Sequence, residues 1–292
     1  VPVPALDSEA VRFDDLSTAT RADAEAVADA LSDVKRLGVA YSGGVDSAVL
    51  LALSVRVLGR DRALGLLADS PSLARHELQI ARSVAAQLGA DVVEFATHEG
   101  DRPQYRANGA DRCFYCKDEL FTVISETLAE DLSLDAVAYG ENADDAKRLD
   151  RPGAEAATRH RVLRPLAQAG ITKARVRALA HDLGLSVADK PAAPCLASRI
   201  PHGEQVTPEK LRQVETAEQV LRDLGFSDSR VRHHGKIARI EVPLAEIGRF
   251  ADDTVREQAL RAIRASGFAY VTIDLAGMQS GAFTMQIITR HD

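Results

Sequence analysis

Positive charge is in deficit in this chain. Its 292 residues hold 36 Lys and Arg against 43 Asp and Glu, a formal net charge of −7. That balance argues against a dedicated nucleic-acid surface, so nucleic acid is not an expected partner, although it leaves room for a local basic patch. Cysteine is also sparse, at three residues. An odd number in a chain of this size makes no disulfide framework and points to free thiols, metal binding or chemistry. No apolar run approaches the ~20 residues needed to span a bilayer. No basic segment followed by a short apolar stretch opens the sequence, so a cytoplasmic protein without a membrane partner is expected. Repeats and low-complexity segments are absent. What is present is ample apolar material, 46% of residues, in a length that suits two domains rather than one core.

The most informative stretch is Val39-Ala40-Tyr41-Ser42-Gly43-Gly44-Val45-Asp46-Ser47, followed by the apolar run Ala48 to Leu53. It reads as a strand, a tight glycine turn and a helix N-terminus. There the first helical N–H groups lack intrahelical partners, and together with the helix dipole they favour an anion. Gly43 and Gly44 allow close approach to a phosphate and positive φ. Ser42 and Ser47 add hydroxyl donors, and Asp46 suits a turn cap or a metal ion beside phosphates. A Walker A loop is excluded, because it requires a Lys before its final hydroxyl and no Lys occurs between Lys35 and Lys117. The Ser-Gly-Gly-Val-Asp-Ser string instead resembles the loop of the ATP pyrophosphatases, which cleave ATP between its α and β phosphates and adenylate a substrate oxygen.

Around this loop the chain alternates strand and helix. Val1 to Leu6, with two prolines, is expected to be extended. A helix is expected over Thr20 to Leu37, then strands at Leu37–Tyr41, Arg62–Ala68, Asp91–Ala96 and Ala136–Tyr139, with helices between them. The near-continuous apolar strand at 62–68 fits a parallel sheet covered on both faces. In such a sheet ligands sit at the carboxyl ends of strands. This puts Ala68, the turn residue Ser72 and Gly140 within reach of a nucleotide. Residues 146–158 read as a loop and 162–166 as a short fifth strand. Thr172 caps a helix whose first turn holds Lys173, set against the dipole as if for a phosphate.

Three features carry possible sulfur or metal chemistry. Cys113 and Cys116 form a Cys-x-x-Cys pair before a helix, open to a redox, metal or merely buried-thiol reading. Cys195 lies in a loop bounded by Pro191, Pro194 and Pro201, where Lys190 and Arg199 would favour a thiolate. Beyond His202 the pattern changes to helix, two strands, helices and a strand, a small α+β layer. The expected fold is therefore α/β, a doubly wound parallel sheet over 1–202 with a smaller α+β domain over 203–292.

Taken together, Ser42–Ser47, Ala68–Leu73, Gly140 with Asn142–Asp145, Pro165–Ala167, Lys173, Lys190-Pro191, Pro194–Arg199 and Arg230–Gly235 with Ala238–Val242 resemble the LarE family. These are ATP-dependent sulfurtransferases that act on a pyridinium dicarboxylate mononucleotide in nickel-pincer cofactor biosynthesis. The resemblance implies ATP and Mg²⁺ at Ser42, Gly43, Gly44, Asp46, Ser47, Ala68, Ser72, Gly140 and Lys173. It also implies adenylation of a substrate carboxylate and its conversion to a thiocarboxylate, with Asp46 and Cys195 as the catalytic pair. Arg230 and Arg232, two apart on one strand, would take the substrate phosphate, and Glu218 and Glu241 are candidates for a second metal.

Like the three-cysteine members, this chain would hold a [4Fe-4S] cluster on Cys113, Cys116 and Cys195, fed by sulfide or another sulfur donor. The single-cysteine members instead give up the sulfur matching Cys195, leaving dehydroalanine. A tRNA thiolase shares the loop and the cysteine logic but needs a basic surface. An amide-forming synthetase would need an ammonia source and has no use for the cysteines. Self-association to a homo-oligomer is expected from the family. Glu141 departs from the small hydroxyl residue more common there.

Overall fold

The computed structural model describes residues 13–148 and 152–278, so the expectation for Val1 to Leu6 lies outside the described residues. The chain divides into two compact units. The first comprises Val1–Asp69, Arg75–Thr97 and Lys117–Ala193, and the second Ser70–Ala74, His98–Cys116 and Pro194–Asp292.

The first unit is a parallel four-stranded sheet. Strands β1 (Leu37–Tyr41), β2 (Ala63–Asp69), β3 (Asp91–Ala96) and β4 (Ala136–Tyr139) lie in the order β3-β2-β1-β4. Leu37, Val39, Leu66 and Leu67 on the central strands are buried, as aliphatic runs in a doubly covered sheet must be. Helices Thr18–Ala30, Val45–Leu58, Arg75–Leu88 and Lys173–Asp182 flank it. The helix Val45–Leu58 buries Ala48 through Leu53 without a polar stripe, which marks a central position in the unit. Strand order reverses between β1 and β4, and this switch point is where a doubly wound sheet opens a crevice for ligands.

Two local expectations change. The residues 162–166 form no strand; pairing reduces to a single parallel bridge between Ala138 and Leu163, followed by a helix Pro165–Gln168. Pro165 cannot donate to a ladder but suits the first turn of a helix. The expected loop includes a helix, Pro152–Arg159, started by a proline and carried by Ala154, Ala156 and Ala157, the strongest helix former.

The second unit contains β5 (Arg230–His234), β6 (Ile237–Glu241) and β7 (Tyr270–Ile273), with β5 and β6 antiparallel and β6 and β7 parallel. Helices Pro208–Asp223 and Asp253–Ala265 contribute Ala217, Leu221, Ala259 and Ile263 to its main core. Thr207, with Pro208 after it, caps the first of these through Lys210 N, as its sequence suggests. A satellite core gathers Ala74, Tyr105, Leu196, Ala197, Ile200 and Val214. Residues far apart in sequence thus share one apolar cluster.

Leu66 is fully buried at the middle of the first sheet. Replacing it with Ala is expected to cost about 2–5 kcal/mol, from lost transfer energy and the cavity left behind. Urea unfolding followed by circular dichroism measures this, with the midpoint falling and the slope unchanged.

Candidate functional site

At the end of β1 the chain turns through Ser42 to Ser47. Gly43 has φ +71°, and a Cβ there would stand 2.6 Å from the Ala81 Cα, so only glycine fits. Ser47 Oγ donates to the Gly44 carbonyl at 3.0 Å and accepts from the Ser42 amide at 3.3 Å. Gly44 is the N-cap of the helix and offers no side-chain cap. The first amides of the helix are therefore left to solvent or to an anion.

β4 closes the other side of the switch point. Gly140 lies so near the loop that a Cβ would fall 2.7 Å from both the Asp46 carbonyl carbon and the Ser47 nitrogen. Asn142 caps the next short helix by accepting from the Asp144 and Asp145 amides, each at 3.0 Å. Its Nδ2 donates to Asp46 Oδ1 at 3.0 Å and to Asp145 Oδ2 at 2.8 Å. The other Asp46 oxygen accepts from Lys173 Nζ, and the Lys173 amide donates to Asp144 Oδ2 at 2.8 Å. Ser42, Gly43, Gly44, Asp46, Ser47, Gly140 and Lys173 are thus brought together, and Ala68 lies at the carboxyl end of β2 next to β1. Asn142 is the residue whose role sequence reasoning missed. Its signal was its place, two residues after a glycine at a strand end.

The remaining expected residues lie in the second unit. Ser72 is buried with its hydroxyl bonded to that of Tyr105, while its carbonyl accepts from Leu196 N at 2.9 Å. Cys113 and Cys116 are not ahead of the helix but in it, within Arg112–Val123. The run Arg-Cys-Phe-Tyr-Cys-Lys holds no helix breaker, and a spacing of three puts both thiols on one face. Cys113 and Cys195 are exposed and Cys116 is half-buried, all three as free thiols. Burial pushes the Cys116 thiol well above its ordinary range, and the nearby charges of Glu99, Cys195 and Cys113 push it further. Cys116 therefore lies within electrostatic reach of both other thiols. Among the described residues no three His, Cys, Asp or Glu converge as the ligands of a single ion must. The three thiols are soft sulfur donors, the kind of ligand that iron–sulfur groups take.

Lys190, expected beside Cys195, pairs with Glu77 within the first unit. Arg199 braces the Cys195 loop instead. Its Nη1 donates to the Pro194 carbonyl at 2.7 Å and the Cys195 carbonyl at 3.3 Å. The rest of its guanidinium holds Glu218 through Nε to Oε1 at 2.8 Å and Nη2 to Oε2 at 3.2 Å. Glu218 also accepts from the Val231 amide at 3.0 Å.

Glu241, buried completely, holds Arg232 in a fork at 3.0 and 2.9 Å and Arg239 at 3.0 Å. Both acidic residues are engaged by guanidinium groups. Arg232 Nη1 further donates to the Ser198 carbonyl at 3.1 Å, tying β5 to the Cys195 loop. Burial and then the like charges of Arg199 and Arg232 draw the Arg230 guanidinium below its ordinary range. Concentrated positive charge of this kind is relieved by an anion.

The switch-point loop and its carboxylate define the class: an α/β enzyme of the ATP pyrophosphatase type. A family model described as NAD synthase matches residues 25–106, and an ammonia-dependent NAD⁺ synthetase of Mesorhizobium japonicum is 36% identical over 81 residues, 25% of each chain. Over nearly the full length the chain is 37% identical to the pyridinium-3,5-bisthiocarboxylic acid mononucleotide synthase of Lactiplantibacillus plantarum, across 252 residues, 86% of this chain and 90% of that protein. It is also 41% identical to an uncharacterised protein of Synechocystis over 249 residues, 85% of this chain and 92% of the other. The chain belongs to the family of pyridinium-3,5-bisthiocarboxylic acid mononucleotide synthases, LarE, and with it to the ATP-dependent, adenylating sulfurtransferases. No helix among the described residues is long and apolar enough to cross a membrane.

Removing Glu218 leaves Arg199, with its side chain 7% exposed, as an unpaired buried charge. Glu218→Ala is expected to lower unfolding free energy by about 3–5 kcal/mol, measured by urea titration. For the thiols, a thiolate is needed for alkylation. Cys116 should therefore react with iodoacetamide about ten-fold more slowly at pH 8 than either exposed cysteine, read by peptide mass mapping.

Proposed function

We propose that this enzyme adenylates a carboxylate of a pyridinium dicarboxylate mononucleotide and converts it to a thiocarboxylate, with sulfur handled at Cys113, Cys116 and Cys195. The observation that carries the first half is the carboxylate of Asp46, shared between Asn142 at 3.0 Å and the Lys173 ammonium. Both charged side chains remain partly exposed, 20% for Asp46 and 39% for Lys173. On ATP binding, the Lys173 ammonium transfers from Asp46 to a phosphate oxygen, and the freed carboxylate oxygen faces the same phosphates. Mg²⁺, which is commonly held by one or two carboxylates together with substrate phosphates, would neutralise charge on the departing pyrophosphate from that position.

The loop amides, with Ser42 and Ser47, hold the triphosphate for attack at its α-phosphorus. A substrate carboxylate oxygen forms the new P–O bond there, the bond to the β-phosphate bridging oxygen breaks, and pyrophosphate leaves. The resulting acyl adenylate accepts a sulfur nucleophile at its carbonyl carbon, and AMP departs.

In the second unit, Arg230 and Arg232 receive the substrate phosphate. Glu241 holds Arg232 and Glu218 holds Arg199, so the guanidinium groups are in place before substrate arrives. The residues 203–292 form the phosphate-recognising layer. Cys113, Cys116 and Cys195 would hold a [4Fe-4S] cluster. Bound there, such a group would supply sulfide for transfer and so would let one chain act repeatedly.

Anaerobic purification with iron and sulfide analysis, combined with intact mass after turnover, tests this reading. The expected result is about four irons per chain and an unchanged protein mass. A colourless protein that loses the mass of one sulfur overturns the cluster in favour of sacrifice of Cys195. Absence of iron with no mass change overturns both sources of sulfur.

A further inference from the structure

Asn108 and Arg112 take no part in the chemistry above, yet both are buried, at 0% and 6% exposure. Asn108 has φ +56°, a left-handed conformation that persists in a non-glycine residue only where its surroundings fix it. Its Nδ2 donates to the carbonyls of Ile200 at 3.3 Å, Pro201 at 2.8 Å and Glu204 at 2.9 Å. Its own carbonyl accepts from the Gly203 amide at 3.1 Å. Its Oδ1 accepts from Arg112 Nη1 at 2.5 Å, and the same nitrogen donates to the Ala197 carbonyl at 2.9 Å. The Arg112 guanidinium also lies within electrostatic reach of Cys195 and Cys113.

These bonds join two pieces of chain that carry the thiols. Cys113 and Cys116 share one helix, which fixes their mutual spacing. Cys195 comes from a distant part of the sequence, so only contacts through space set its distance from them. Asn108 and Arg112 hold the backbone from Ala197 to Glu204, directly after Cys195, while Arg199 braces the carbonyls of Pro194 and Cys195 themselves.

We propose that Asn108 and Arg112 are positioning residues that set the separation of the three thiols by tethering the Cys195 loop to the helix bearing Cys113 and Cys116. The role rests on the reading that these thiols act as one set. Fixed spacing matters because a polydentate group binds only if all its ligands are present together, and each one held in place raises the effective concentration of the next.

The test uses the full iron-free chain, kept anaerobic, and dibromobimane, a short reagent that joins two thiols. Wild-type protein is expected to give a link between Cys195 and a thiol of the helix, located by peptide mapping. Asn108→Ala and Arg112→Gln should cut the yield of that link about ten-fold, while in Asn108→Ala, which keeps the Arg112 cation, single alkylation of the exposed Cys113 and Cys195 by iodoacetamide stays near the wild-type rate. Iron retained after reconstitution with ferrous iron and sulfide should fall in parallel. Arg112→Lys, which keeps the charge and can keep one of the two bonds, should fall between.

Wild-type linking and iron retention in any folded variant overturn the tether. If the first two variants do not fold, Arg112→Lys decides, and wild-type behaviour there overturns it equally. Wild-type protein that links its thiols but binds no iron, with variants that lose the link, removes the cluster and leaves the tether standing.

Discussion

Everything in the first unit depends on how closely two strand ends can approach at the switch point of the sheet. There is no room for a side chain at residue 140, whose Cα faces the backbone of Asp46 and Ser47. That contact sets the end of β4 against the loop after β1. Asn142 can then reach the Asp46 carboxylate, and Lys173, entering from a later helix, can reach its other oxygen. Without the close approach the loop would still offer helix amides to an anion, but no fixed carboxylate would accompany them. The glycine thus joins a steric constraint to an electrostatic one. The loop therefore carries a carboxylate held from both sides, by Asn142 and by Lys173, beside its open helix amides.

The second unit meets a different constraint. Its three stretches, 70–74, 98–116 and 194–278, share the apolar cluster of Ala74, Tyr105, Leu196 and Ile200 and are joined as well by buried polar bonds. Arg199, Arg232 and Asn108 each bond to backbone carbonyls of the Cys195 loop. A proline-rich loop has few amides available to make its own secondary structure, so its carbonyls must be satisfied from outside. Side chains with several donors do this best, and Arg and Asn are what the structure uses. The rigidity that the prolines suggest is therefore completed by neighbours, which also place the thiol.

Much of this was legible in the sequence, for identifiable reasons. The glycine loop, the four parallel strands and the capped helix at Thr207 are written in local patterns: apolar runs, turn residues and an N-cap followed by proline. The helix at Pro152–Arg159 was hidden because its charged flanks outweighed its alanines. The fifth strand failed because Pro165 favours a helix start over a ladder. The position of Cys113 and Cys116 inside a helix turned on the absence of a breaker, a weaker signal than a cap. The partners of charged groups were not legible at all. Lys190 meets Glu77, 113 positions away, and Glu218 meets Arg199, 19 positions away. Such pairings arise only when tertiary structure brings distant segments together.

The acidic composition also takes on a different meaning once those pairs are seen. A chain of net charge −7 steers anions toward itself only weakly at long range. Charge within the second unit does not follow the overall field. Glu218 and Glu241 lie buried against Arg199, Arg232 and Arg239, where they offset part of the positive charge that folding must gather. Burial, and after it the like charges of Arg199 and Arg232, still draw Arg230 below its ordinary range. The acids thus hold together guanidinium groups that would otherwise repel. Charge balance over the whole chain and charge at the site are set independently, which is why the first could not reveal the second.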